Sequence, residues 1–300
     1  MKSRIRWEPC LDFSNRELSE NAIRKTWEEF RKALANDEFT SNEIDVVKEQ
    51  SIFLKQYDDL FVKHDGLSYN TKRIDDLNGL LIGRGTILAE NEVPDYERFI
   101  PKKQFITIDN RFSPPEVEWL YLAIGNEQDI HQCAQSECRA KVGQRFGFCH
   151  FGFESRFLDS KLVDLTVADN ISYDNINYRL EKYAQKRKAK IKAKAKTIFK
   201  KYGYIPNHFK NEEEDKQQLT EWGVYTYSKL LSEQIFEPLT ENENKAIIYA
   251  PFQTMAQYYI LLGYRGIIYK STVYSTGKNI VLFDKNLAYP INNIEDYIIY

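Results

Sequence analysis

Leu80-Leu81-Ile82-Gly83-Arg84-Gly85-Thr86-Ile87-Leu88 marks the point at which the chain changes its period. The run is apolar and bounded by turn signals, so it reads as a β-strand. It also carries a cation. A guanidinium inside a buried strand is costly unless it meets an anion or a carboxylate, so Arg84 demands a partner.

Upstream of this run the period is helical. Ser14-Asn15-Arg16-Glu17 has the form of a capping box, and Leu18, Ile23, Trp27, Phe30 and Leu34 follow at near-helical spacing. A second stretch from Ser41 places Ile44, Val47, Leu54, Tyr57 and Phe61 on one face before His64-Asp65-Gly66 breaks it. The spacing predicts two antiparallel helices within a segment 1–79.

Downstream, short apolar runs alternate with turns. Gln104 to Ile108 and Val117 to Ala123 read as strands. Asn126 then caps a short helix through Arg139, and Val142 to Phe153 and Leu162 to Val167 return to strand patterning. Pro251 opens a helix that Gly263 ends, and Gly266 to Ser271 and Asn279 to Phe283 flank a turn at Gly277-Lys278. Helices beside a mixed, mostly antiparallel sheet are expected: an α+β fold, with residues 80–300 as its main domain.

Residues 170–245 stand apart as an insertion. The stretch 182–201 is rich in Lys and Arg and is followed by the acidic run Glu212-Glu213-Glu214-Asp215. A solvated surface helix and loop is the expected structure.

The composition bounds the function. The 300 residues are 42% hydrophobic and 29% charged with a formal charge of −2, so no global field draws the protein to nucleic acid or anionic membrane. MKSRIRWEPCLDF is charged and then broken by Pro9, without the apolar run of a signal peptide or a membrane span, so a cytoplasmic location is expected. Cys10, Cys133, Cys138 and Cys149 are unevenly spaced and fit reduced thiols.

Phosphate-loop, dinucleotide-fold, zincin and hydrolase-elbow signatures are absent from the sequence. Cys133, Cys138, Cys149 and His150 lack the paired spacing of a zinc knuckle, so free thiols and no metal are expected. Arg145-Phe-Gly-Phe-Cys-His150 resembles the R-x4-H motif of HEPN ribonucleases, but it lies in a strand pattern. His150 is read as a strand residue with a hydrogen-bond partner.

Other polar residues flank the apolar strands. Arg111 follows Asp109-Asn110 in a turn leading to the strand of Tyr121. Glu137 lies on the short helix, where partial desolvation would hold a poised carboxylate. Ser271 closes one strand and Asn279 opens the next.

Five blocks in order then resemble the RES domain family: Arg84-Gly85, Arg111 to Ala123, Ser136-Glu137-Cys138-Arg139, Tyr264 to Ser271, and Asn279 to Asp284. The resemblance covers roughly residues 80 to 290. It implies an ADP-ribosyltransferase-like fold and a bacterial toxin or defence effector that consumes NAD as a substrate. No bound cofactor is implied. The nicotinamide–ribose bond would be cleaved by phosphorolysis, with inorganic phosphate as co-substrate, or by hydrolysis. An Xre-type antitoxin partner and a homo-oligomer belong to the same expectation.

By that resemblance Glu137, Arg84 and Ser271 are the catalytic set, and Arg111, Tyr121 and Asn279 bind substrate. Two features depart from the family: Gly85 stands where a Tyr often follows the first arginine, and the 170–245 insertion is long. Residues 1–79 resemble the HEPN-like extension ahead of some RES domains and lack a helical R-x4-6-H motif, so a docking or regulatory role is expected. The residue chemistry fits independently: a carboxylate stabilises an oxocarbenium-like centre, and guanidinium groups bind phosphate oxygens. An ADP-ribosyltransferase with a macromolecular acceptor, and an inactive binding module, are the competing readings.

Overall fold

In the computed structural model, which describes residues 16–35, 51–203, 212–235 and 245–300, the run at 80–88 is a strand. The N-terminal part gives α1 (Arg16–Ala35), α2 (Ile52–Asp58) and α3 (Leu67–Asn70), followed by β1 (Thr71–Arg73), β2 (Leu81–Ile87) and β3 (Leu120–Gly125). Next come α4 (Glu127–Glu137), β4 (Arg145–Phe153) and β5 (Lys161–Asp164). Three longer helices follow: α5 (Tyr173–Tyr202), α6 (Glu212–Ile235) and α7 (Lys245–Leu261). The chain closes its sheet with β6 (Gly266–Lys270), β7 (Lys278–Leu282) and β8 (Ala288–Ile298).

The fold is α+β, as expected. Its eight strands form a mixed sheet in the order β1-β5-β6-β7-β3-β2-β4-β8, antiparallel throughout except for the parallel pair β5–β6. The capping box at Ser14 and the helical positions Ile44 and Val47 lie outside the described residues.

Several expectations are corrected. Gln104–Ile108 is not a strand; a tight turn spans Lys103–Phe105, and Phe105 and Ile108 remain exposed, so the run has no buried face to pair. β3 starts at Leu120 rather than Val117, because Pro114-Pro115 and Glu116, held at φ 67°, keep the preceding chain irregular. Pro251 lies inside α7 rather than at its start. β8 was not anticipated: Pro290 and Asn292-Asn293 interrupt its pattern, and an edge strand tolerates both.

One aromatic core binds distant segments together. The Trp27 ring meets Phe53 of α2 at 4.9 Å and Phe252 of α7 at 5.2 Å between centroids. Tyr57 and Tyr259 share a buried hydroxyl–hydroxyl bond of 2.6 Å. The same cluster includes Trp222 and Tyr227 of α6, and Val281 of the sheet. The described part of 1–79 thus packs in a core common to the rest of the chain, and β1 belongs to the sheet.

The insertion has two characters. α5 is the solvated basic helix expected, with Ile176 as its buried residue and Arg187 and Tyr183 both joined to Asp215. α6 is different: Trp222, Val224, Tyr227, Leu230 and Leu231 place it in the core.

Candidate functional site

The site begins with a fork in the sheet. β2 pairs with β4 from Ile82 to Ile87, but with β3 only from Leu81 to Gly83. Beyond the Gly83–Ala123 pair the two strands part, and a cleft of about 230 Å³ opens among Arg84, Tyr121, Glu137, Tyr269 and Asn279. The alternation Gly83-Arg84-Gly85 lies where the strands part. A Cβ at Gly83 would lie 2.2 Å from Phe148 Cζ, and one at Gly85 would lie 2.1 Å from Phe146 Cζ. Two rings of β4 therefore cover the glycines, while the alternation of a strand turns Arg84 to the opposite face. A side chain at position 85 has no room unless the Phe146 ring moves.

Arg84 is half-buried, and its Nη1 is buried without a hydrogen-bond partner. Burial lowers its pKa, the signature of a charge lacking a counterion. Arg84 also lines a second cleft of about 390 Å³ with Glu92, Arg98, Lys102 and Phe105. The guanidinium thus stands between two spaces.

Glu137 is the last residue of α4, a helix that Asn126 caps by accepting from the amide of Asp129 at 2.9 Å. Its Oε1 accepts two bonds, from Ser271 Oγ at 2.8 Å and from Asn279 Nδ2 at 2.6 Å. Ser271 Oγ in turn accepts from the amides of Val273 (3.2 Å) and Tyr274 (3.1 Å), which commits its own proton to Glu137. The Asn279 carbonyl oxygen accepts from the Cys133 thiol, which fixes the amide's orientation. Glu137 itself is exposed, which corrects the expectation of a partly desolvated carboxylate. Hydrogen bonds, rather than desolvation, hold it. Oε2 has no hydrogen-bond partner among the described residues.

Tyr121 lines the cleft with its hydroxyl 3.0 Å from Ser113 Oγ, and burial pushes its pKa up. Arg111 is placed differently. It donates to Thr272 Oγ1 at 3.3 Å, next to Ser271, and its guanidinium lies over the rings of Tyr249 and Phe252. It supports the loop after β6 and is not part of the cleft lining. Four of the six sequence-predicted residues therefore meet at the cleft, with Ser271 behind Glu137 and Arg111 behind Ser271.

Sequence reasoning missed Tyr269 and Asn110, which also line the cleft. Tyr269 had a signal: it shares a strand face with Ser271, two residues on.

Cys133, Cys138 and Cys149 are free thiols, and burial pushes them up to about 12, 11 and 11. Burial thus favours their protonated form. Cys10 lies outside the described residues. Arg145 is structural: it pairs with Asp296 and donates to the carbonyls of Ala89, Glu90 and Glu92. His150 is the strand residue expected, 3.0 Å from Glu295. Among the described residues no helix is long and apolar enough to cross a membrane. No family model, curated protein or solved structure matches this chain, so the site is read from its own chemistry.

Proposed function

We propose that the cleft binds NAD and that Glu137 promotes cleavage of the nicotinamide–ribose bond, with inorganic phosphate or water as acceptor. One observation carries this reading: a carboxylate fixed by two hydrogen bonds and a buried guanidinium nitrogen lacking a partner line one cleft. NAD matches both groups. Its glycosidic carbon becomes cationic as the bond breaks, and its pyrophosphate is anionic.

In this mechanism the electron pair of the C1–N bond leaves with nicotinamide, which becomes neutral. The unpartnered Oε2 of Glu137 stabilises the positive ribose carbon and orients the ribose hydroxyls. Arg84 takes the pyrophosphate or the incoming phosphate, which removes the cost of its unsatisfied buried nitrogen. Tyr121 and Tyr269 offer ring faces to the nicotinamide. The two clefts meeting at Arg84 together fall within the range of about 300–1,000 Å³ typical of small-molecule sites. The forked sheet supports the ADP-ribosyltransferase-like fold that the RES resemblance implies. The toxin role and its antitoxin belong to the same proposal, with the antitoxin acting by covering the cleft.

The test is NAD consumption by the purified protein, with and without phosphate, read by mass. Loss of NAD that needs phosphate and yields a phosphorylated ADP-ribose supports phosphorolysis; equal loss without phosphate supports hydrolysis. Label transferred to macromolecule assigns the site to an ADP-ribosyltransferase instead. Glu137→Gln is expected to lower turnover by roughly 100-fold or more while NAD binding persists. Unchanged turnover in that variant would remove Glu137 from the mechanism.

A further inference from the structure

Away from the cleft, at the opposite end of α4, four side chains converge. The Asn126 cap starts the helix at Glu127, and helical spacing sets His131 one turn later on the same face. β4 presents His150, which pairs across the ladder with Ile291. A bulge in β8 supplies the fourth: Phe148 opposes Glu295, so Cys149 alone faces residues 292–294, with Asn292 at φ 60°. The bulge swings Glu295 to His150.

His131 Nε2 lies 3.2 Å from Glu127 Oε1 and 3.7 Å from Glu295 Oε1. His150 Nε2 lies 3.5 Å and 3.0 Å from the same two oxygens. All four atoms are within 4.8 Å of one another. A tetrahedral metal with bonds of about 2.0–2.1 Å requires ligand separations of about 3.4 Å, and the four nitrogen–oxygen distances bracket that value.

Hydrogen bonds pair each imidazole with one carboxylate, His131 with Glu127 at 3.2 Å and His150 with Glu295 at 3.0 Å, but they leave the second carboxylate beside each nitrogen unexplained. An imidazole Nε2 carries at most one proton, yet each Nε2 here faces two carboxylate oxygens, and the two carboxylates also face each other. A dication satisfies all four atoms and cancels both negative charges. The surroundings are those of oriented ligands. His131 Nδ1 lies 3.1 Å from the Tyr297 hydroxyl, a partner that would take the Nδ1 proton when Nε2 turns its lone pair to a metal. Gln135 Nε2 donates to the same hydroxyl at 3.1 Å. The His131 ring stacks on Phe148 at 3.9 Å, and His150 meets that ring edge-on at 5.1 Å.

We infer that Glu127, His131, His150 and Glu295 form a binding site for a divalent transition metal of the zinc class. Two imidazoles exclude a magnesium- or calcium-type oxygen cage, and two carboxylates without thiolate separate it from soft-metal sites. Four protein ligands close the coordination sphere, so the site is structural. It fastens the start of α4 to β4 and β8, while Glu137 ends the same helix about 15 Å away at 1.5 Å per residue. Side-chain exposures of 61% for Glu127 and 41% for Glu295 give an ion access.

The experiment strips the protein with chelator, adds Zn²⁺ alone, and measures stoichiometry by calorimetry and elemental analysis. One equivalent per chain is expected, with a rise in Tm. Co²⁺ in place of Zn²⁺ should give the intense visible bands of four-coordinate cobalt. His150→Ala should abolish stoichiometric binding. Because that residue is buried, Glu127→Gln on the exposed helix face provides a second variant that keeps the fold, and it should weaken Zn²⁺ at least tenfold. Cys138→Ser should bind Zn²⁺ as the parent does. Absence of stoichiometric binding, unchanged affinity in Glu127→Gln, or loss of binding in Cys138→Ser would overturn the inference. The readout is metal rather than turnover, so its outcome is independent of the NAD reading.

Discussion

Arg84 was legible in the sequence as a cation within an apolar run, the role of its two flanking glycines was not, and the three carry opposite physical demands. The guanidinium has a buried nitrogen without a partner, so the ligand-free protein bears a desolvation cost at this position. Arg84→Met is therefore expected to leave Tm unchanged or raised, and pyrophosphate is expected to raise the Tm of the parent but not of the variant. Thermal unfolding with and without pyrophosphate checks both halves. Gly85 is the converse case, since a Cβ there would collide with Phe146. Gly85→Ala should cost about 1–3 kcal/mol, and Phe146→Leu in the same chain should recover part of that loss in denaturant titration. The site residues were readable because each is a polar group beside an apolar run. The exposure of Glu137 was not, because it depends on where α4 ends against strands more than a hundred residues downstream.

At the scale of elements, the strongest local signals gave the right structures. Asn126 caps α4 as its position implied, and Asn126→Ala should cost about 1 kcal/mol of stability. The apolar runs at β2, β4, β6 and β7 were readable because each is buried or half-buried along most of its length. β8 was not readable, because its pairing with β4 passes through a bulge and a proline that resemble a turn. The exposed lysines of α5 are expected to be dispensable: replacing Lys188, Lys190, Lys192 and Lys194 by Gln should leave NAD turnover unchanged. Between β5 and α5, burial raises the carboxyl of Asp169, which accepts a hydrogen bond from Ser232 of α6. A carboxyl raised in the folded state binds its proton more tightly there, so its contribution favours folding at low pH and is lost as pH rises through the folded value. Asp169→Asn keeps the acceptor for Ser232 and should raise Tm at pH 7 but not at pH 3. An equal gain at both pH values would assign the effect to something other than ionisation.

For the whole molecule, the change of period divides the chain at residue 79, and packing reunites it. Trp27 contacts Phe53 and Phe252, which lie on helices from opposite ends of the sequence. Trp27→Ala should cost about 3–5 kcal/mol, and the protein should unfold in one transition seen alike by aromatic fluorescence and by far-ultraviolet circular dichroism. Residues 80–300 expressed alone are expected to lack a stable fold. No local pattern reveals such a shared core, because it depends on contacts between residues some two hundred positions apart.

The strand order also sets a schedule for the protein's birth. β7 sits between β6 and β3, near the middle of the sheet, yet it is synthesised after all of the strands except β8. A ribosome that has just made Glu137 must add residues 138–279 before Asn279 exists, on the order of ten seconds at roughly 5–20 residues per second. Until then the glutamate lacks at least one of its two hydrogen-bond donors and β3 lacks its second neighbour. The nascent chain therefore carries the carboxylate without the bonds that fix it, and the cleft is completed only when β7 is added to the sheet.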